Sequence, residues 1–210
     1  MKLLVVSGGR HPYHESTPIL EDFLKAAGHE VTVTEDAGIL ASDQMRGYDG
    51  LVFNTRREAE LTLAANERVG VTRFIGGGKG FVCIHIAGCR PESWPEYHDV
   101  TGGGWVTGTS THPPYGQFTV KVTQSDHPCA DGIGDFVTND ELYIKLALKP
   151  GNDVLLTADL DGEAKPMAWT RKYGNGRVFK TTLGHNGLSF QTPQFQRLVL
   201  NGVSWVTSRD

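Results

Sequence analysis

The stretch from Gly76 to Cys89 constrains the chain more than any other. Glycines at 76, 77 and 78 stop a helix, and Phe81 to Ile86 then runs almost wholly apolar. Such a run without alternation fits a strand covered on both faces, as in a parallel sheet. His85 is its one polar side chain, and Ala87 and Gly88 follow almost at once. A strand that ends in a reactive side chain and breaks into small residues has the backbone logic of a nucleophile elbow. Histidine stands where a serine or cysteine nucleophile would be. The plainer reading is a core histidine bonded to a backbone carbonyl, because histidine is intermediate in burial.

The flanking chain supplies neighbours for that strand. Lys2 to Ser7 reads as a first strand, with Gly8 to His14 as a loop after it. Thr17 as N-cap, Pro18 at the first helical position and Gly28 as stop predict a helix. Glu30 to Thr34 and Tyr48 to Asn54 read as further strands. Leu61, Ala65 and Val69 keep helical spacing, which predicts a helix from about Glu58 to Ile75. This succession is the signature of an open parallel sheet with helices on both faces. In the second half, Gly116 to Thr123, Val154 to Thr157, Met167 to Arg171 and Arg177 to Thr182 are strand-like. Gly174-Asn175-Gly176 marks a hairpin between the last two. Phe195, Leu198, Val199, Gly202, Trp205 and Val206 form the apolar face of a closing helix. One α/β domain over residues 1–210, with a mixed sheet, is the expectation.

Charge removes several function classes. The net charge is -4 and no basic block occurs, so neither nucleic acid nor an anionic membrane is an expected partner. Cys83, Cys89 and Cys129 form no C-x-x-C pair. An odd count beside a core strand predicts reduced thiols and a cytoplasmic home. The apolar run at the start is too short for a signal peptide, and no segment is long enough to span a bilayer.

In an open α/β sheet, ligands bind beyond the carboxyl ends of the parallel strands. The polar residues predicted there are Arg10, His11 and His14 after the first strand, Asn54 to Arg56 after the third, His85, and His185 near the end. His112 before two prolines and Asp140-Glu141 before Leu142-Tyr143 join them. Each also has a plain reading. His11 and His14 read as solvated loop residues. Asp140 reads as a turn cap, and His112 as a loop-shaping residue. Trp94, Tyr97 and Trp169 read as packing, although such side chains also stack on sugar rings. His29, His98 and His127 read as surface residues.

Taken together, Gly77 to His85, Thr111 to Pro114, Asp140 to Tyr143, Pro166 to Arg171 and Gly176 to His185 resemble the ThuA-like family, named for trehalose utilisation. The similarity runs over nearly the whole chain. Ile86 stands where the family's central motif usually has alanine. The resemblance implies a class I glutamine amidotransferase-like (flavodoxin-like) three-layer sandwich with a mainly parallel central sheet. It implies that His85 takes the place of the amidotransferase cysteine and that His185 lies near the place of the catalytic histidine. Glutamine amidotransfer is then excluded, because an imidazole at the elbow cannot form the thioester that a thiolate would.

Two chemistries suit His85, His185 and Glu141 as the catalytic set. One is a divalent metal site, zinc or similar, on those three residues, with His112 as an alternative ligand. The other is metal-free acid–base chemistry by imidazoles that titrate near neutral pH. No nucleotide cofactor is expected. The family setting implies 3-keto disaccharides or glycosides, in which a ketone acidifies the neighbouring C–H. A base removing that proton opens isomerisation, elimination or hydrolysis. Arg10, His14, Asn54, Trp94, His112 and Tyr143 are the expected substrate contacts. The alternative is a non-catalytic carbohydrate-binding or regulatory protein on an amidotransferase-like scaffold. The oligomeric state stays open, with self-association among the options.

Overall fold

The structure, a computed structural model, describes residues 1–208. Eleven strands and five helices follow in chain order: β1 (Lys2–Gly8), α1 (Tyr13–Ala26), β2 (Glu30–Thr34), β3 (Gly50–Thr55), α2 (Ala65–Gly76) and β4 (Gly80–Ile84). Next come α3 (Tyr97–Thr101), β5 (Gly103–Gly104), β6 (Gly116–Val122), β7 (Phe136–Asp140) and β8 (Ala147–Leu148). The chain closes with β9 (Asp153–Leu160), β10 (Glu163–Tyr173), β11 (Gly176–Thr181), α4 (Gly187–Gln191) and α5 (Pro193–Thr207).

Nine strands form one sheet in the order β2-β1-β3-β4-β11-β10-β9-β6-β7. The pairs from β2 across to β11 are parallel, and those from β11 to β7 are antiparallel. The parallel half carries the predicted site. Its inner strands β1, β3 and β4 are buried on both faces, which is why they lack polar alternation, whereas the edge strand β2 alternates and stays partly exposed. Leu3, Val5, Val52, Val82 and Ile84 pack with α1 and α5 on one side. Leu4, Val6, Leu51, Phe53, Phe81 and Cys83 pack with α2 and α3 on the other. The result is the expected three-layer α/β architecture.

Three local expectations change. Helix α1 starts at Tyr13, because the Pro12 carbonyl receives the N–H groups of Glu15 and Ser16. Pro18 therefore lies inside the helix, and the Thr17 hydroxyl is shared with Ser7 and Asn54 instead of capping. Helix α2 starts at Ala65, preceded by a short turn at Ala59–Leu61, so the helical spacing from Leu61 overran the true start. His98, read as a surface residue, is 1% exposed on α3 and bonds the Gly88 carbonyl at 3.2 Å.

Candidate active site

Strand β4 ends at Ile84, and His85 then adopts a left-handed backbone with φ of 52°. This conformation costs a non-glycine residue about 1–2 kcal/mol, so surrounding contacts must hold it. They come from β11. The buried Lys180 ammonium donates to the His85 carbonyl and, at 2.8 Å, to the Thr181 carbonyl. Burial lowers the Lys180 pKa. Gly88 is required beside it, since a Cβ there would lie 2.4 Å from Lys180 Cε.

The His85 ring is buried, and its Nδ1–H donates to the Thr182 carbonyl at 2.6 Å. This fixes the tautomer and leaves the Nε2 lone pair facing inward. Nε2 accepts from the Tyr143 hydroxyl at 2.7 Å and lies 3.3 Å from Glu141 Oε2. Burial, the leading cause, pulls the His85 pKa down to about 4 against the pull of Glu141. The ring is therefore neutral at physiological pH.

His11 repeats that arrangement. Its Nδ1–H donates to the Arg10 carbonyl at 2.9 Å, and its Nε2 lies 3.1 Å from His185 Nδ1. Burial, and then the neighbouring His85, lower its pKa to about 4. His185 differs: burial opposes its protonation, but Glu141, 3.2 Å from Nδ1, raises its pKa overall. Burial alone would raise the Glu141 pKa, yet the neighbouring His185 and His85 rings hold it well below the usual carboxylate range. His112 stands at the open side with Nε2 3.4 Å from Glu141 Oε1, its Nδ1–H donated to the Pro113 carbonyl at 2.7 Å.

Asp140 holds the two site loops together. Its buried carboxylate accepts N–H bonds from Glu141 (2.8 Å), Gly184 (2.7 Å) and His185 (3.2 Å). Burial still pushes its pKa up to about 6. Gly184 has φ of 113°, and a Cβ there would sit 2.8 Å from Ile84 Cγ2. Asp140 therefore does more than cap a turn: it sets the distance between Glu141 and His185.

Aromatic rings line the approach. Tyr143 stacks on His85 at 4.6 Å, and Trp105 packs on Tyr143 at 4.6 Å. The half-exposed Tyr115 ring lies 5.2 Å from His185, with its hydroxyl anchored to the Asn139 carbonyl and Asn186 Oδ1.

The structure thus brings His85, His185, Glu141, His112 and Tyr143 together and leaves four expected residues elsewhere. Arg10 points to solvent and pairs with Glu60. His14 is exposed, and its nearest charged neighbour is Glu15, 3.9 Å away. Asn54 is buried and donates to Ser16 and Thr17, pinning β3 to α1. Trp94 is buried against Tyr97 in the core beneath α2. None of these four is available as a sugar contact at the histidines, because each is committed to another partner or another face. Cys83 also faces away, 3.7 Å from the Tyr97 hydroxyl, because the left-handed turn at His85 breaks strand alternation. Cys89 donates to Glu58, and burial pushes its pKa up to about 12, so it is no nucleophile.

Sequence reasoning placed His11 at the rim but read it as a solvated loop residue, and it missed Trp105, Tyr115 and Lys180. A signal was available for His11: it follows β1, and in a doubly wound sheet the loop after the first strand lies at the switch in strand order.

The atoms His11 Nε2, His85 Nε2, His185 Nδ1 and a Glu141 oxygen form the natural donor set, and these four residues each offer a ligand atom within 4.8 Å of the others. Zinc–nitrogen bonds of about 2.1 Å give a tetrahedron with edges of about 3.4 Å. The close pairs here, at 3.1, 3.2 and 3.3 Å, match such edges. Two imidazoles orient their lone pairs inward by donating Nδ1–H to carbonyls, the usual support of ligating histidines. The residues present therefore fit a divalent cation.

The fold and the histidine at its elbow define a class I glutamine amidotransferase-like α/β protein without the amidotransferase thiol. A family profile described as trehalose utilisation, ThuA, matches residues 2–206. The chain belongs to the ThuA family. It is similar to the crystal structure of a putative ThuA-like protein from Parabacteroides merdae, with TM-score 0.83 and 22% identity over 99% of this chain and 90% of that one. A putative ThuA-like protein from Bacteroides uniformis gives TM-score 0.82 and 19% identity, covering 100% and 92%. A putative GMP synthase protein from Thermoplasma acidophilum gives 0.62 and 15%, covering 97% and 92%. At such identities these likenesses concern the fold. No curated protein matches the chain. Among the described residues, no helix is long and apolar enough to cross a membrane.

Proposed function

We propose that this protein is a carbohydrate-metabolism enzyme that uses a divalent ion and histidine acid–base chemistry on a keto disaccharide or keto glycoside. The observation that carries the reading is the convergence of His11, His85, Glu141 and His185 on one point. Without a cation, two imidazole lone pairs and a carboxylate face one another, with only the His185 ring N–H and the Tyr143 hydroxyl as donors among them. Such an acceptor-rich cluster favours a cation. A bound divalent ion would act there as a Lewis acid on a substrate carbonyl.

The chain's own residues supply the rest. His112 is only partly buried, and its Nδ1–H is already donated, so its Nε2, 3.4 Å from Glu141 Oε1, is the ring nitrogen we assign as the base toward a ligand on the open side of the cluster. It takes the proton from the carbon beside the ketone and returns it at the next carbon or to a leaving oxygen. Without the ion, Tyr143 donates its hydroxyl to His85 Nε2; with that single lone pair on the ion, the hydroxyl would be released to donate to a substrate oxygen. Trp105 and Tyr115 offer ring faces to a sugar at the entrance. The carbohydrate setting is supported by the family's description as trehalose utilisation.

The test is direct. Protein purified without chelator should carry a stoichiometric divalent ion by mass spectrometry and turn over 3-keto-trehalose. His85→Ala and His185→Ala should lose both while circular dichroism stays unchanged. Failure to take up zinc, manganese or other divalent ions on dialysis would remove the metal. Absence of turnover of any keto sugar would leave the non-catalytic binding protein as the better reading.

A further inference from the structure

His85 has one nitrogen to offer, and two partners claim it. Its Nδ1–H is donated to the Thr182 carbonyl at 2.6 Å, so the ring keeps a single lone pair, on Nε2. The Tyr143 hydroxyl sits on that lone pair at 2.7 Å. Nε2 is also the atom through which His85 joins His11, Glu141 and His185 as a ligand set. One lone pair holds a proton donor or a cation, never both.

The phenol is fixed in place. Tyr143 is 2% exposed and packs in a small apolar cluster with Tyr13, Ile86 and Cys89. Its ring stacks on His85 and packs on Trp105, with centroids 4.6 Å from each. The next residue, Ile144, exchanges backbone hydrogen bonds with Thr111 at 2.8 and 3.2 Å, which pins the loop. What stays free is the hydroxyl hydrogen, which rotates to suit its acceptor. Loss of the His85 lone pair therefore redirects the donor without moving the ring.

The protein offers that donor a crowded alternative. Glu141 is the other hydrogen-bond neighbour of the hydroxyl. Its Oε2 already faces His85 at 3.3 Å and His185 at 3.2 Å, and its Oε1 faces His112 at 3.4 Å. A buried donor left short of an acceptor is costly, and a ligand oxygen beside the cluster would satisfy it.

We propose that Tyr143 gates this site: its hydroxyl holds the cation's place on His85, must be displaced for a divalent ion to bind, and once displaced becomes the donor to the carbonyl oxygen of a keto sugar. The hydroxyl keeps its proton throughout, and only its acceptor changes. Ion uptake and ligand binding are thereby linked, because the donor that one event frees is the donor that the other needs. The proposal rests on the divalent-ion reading above and adds how that site is regulated.

Tyr143→Phe keeps the ring stack and removes the competitor. Competition with a chelating dye should show zinc bound about tenfold more tightly than by the wild type, the factor that one buried hydrogen bond carries. A residue with a merely structural role would weaken zinc binding when removed. In the same variant, kcat for 3-keto-trehalose should fall about tenfold. Wild-type protein supplies a second measurement, needed if the variant does not fold. In zinc-free protein the hydroxyl proton should correlate with His85 Nε2 by NMR across their hydrogen bond, and one equivalent of zinc should abolish that correlation. Equal or weaker zinc binding by Tyr143→Phe, or a correlation that persists with zinc bound, refutes the gate while leaving the metal site standing. Zinc bound by neither protein overturns both. Tighter zinc binding with unchanged kcat refutes the donor role. If the wild type turns over no keto sugar, the enzyme reading falls, and the zinc comparison still decides the gate.

Discussion

Acid should weaken this protein through His98, and the size of the effect follows from where the ring lies. His98 is 1% exposed and donates Nε2–H to the Gly88 carbonyl behind the elbow. Burial is the main cause that lowers its pKa from 6.5 to about 4; the Gly88 bond resists, and the Arg90 and Lys180 cations add to the lowering. The folded pKa lies below the unfolded one, so the unfolded chain binds more protons between them. The stabilisation is complete above pH 6.5 and is lost as pH falls through the interval to about 4. A gap of that size, at about 1.4 kcal/mol per unit, is worth about 3 kcal/mol. That is a large part of a typical stability of about 5–15 kcal/mol. His98→Gln keeps an N–H near Nε2 and removes the titration. Urea denaturation of both proteins from pH 7.5 to pH 4.5, with chelator present, isolates the term, since the other histidines are common to both. The wild type should lose about 2–3 kcal/mol relative to His98→Gln over that range. A difference that stays flat, or that shifts in favour of the wild type as pH falls, would refute the assignment of a buried neutral imidazole.

Two further outcomes follow from the site. Lys180→Met removes the ammonium that secures the left-handed His85 carbonyl. It should weaken zinc affinity by about 10-fold or more, measured by competition with a chelating dye. Glu141→Gln removes the carboxylate that raises the His185 pKa. In chelator-treated protein, the midpoint of His185 by NMR titration should drop towards or below about 6.5; an unchanged midpoint would show that another group holds the proton.

Much of the fold was legible because local chemistry encodes it. The apolar runs at Leu3–Val6, Leu51–Phe53 and Phe81–Ile84 are buried on both faces, and each is a strand of the parallel half. The Gly174-Asn175-Gly176 turn joins β10 to β11 as its residues require. Boundaries were less legible. Thr17-Pro18 has the chemistry of a helix start, yet the hydroxyl serves Asn54 and the helix begins earlier at Tyr13. At the site, His85, His185 and Glu141 could be placed at strand ends, whereas His11 looked like one more loop residue. Arg10, next to it, faces solvent, so nothing in the local sequence separates the two.

The amino-acid order by itself determined which segments are strands, that they stack as a covered parallel sheet, and that a histidine ends the central one. Those properties depend on side-chain polarity and period, which act over a few residues. Only the tertiary structure decided that four ligating atoms from residues 11, 85, 141 and 185 meet within 4.8 Å. That meeting depends on strand order, on the left-handed turn at His85 and on Asp140 bridging two distant loops. Contacts between residues far apart in the chain are set by the packing of the whole sheet, and no short window of sequence contains them.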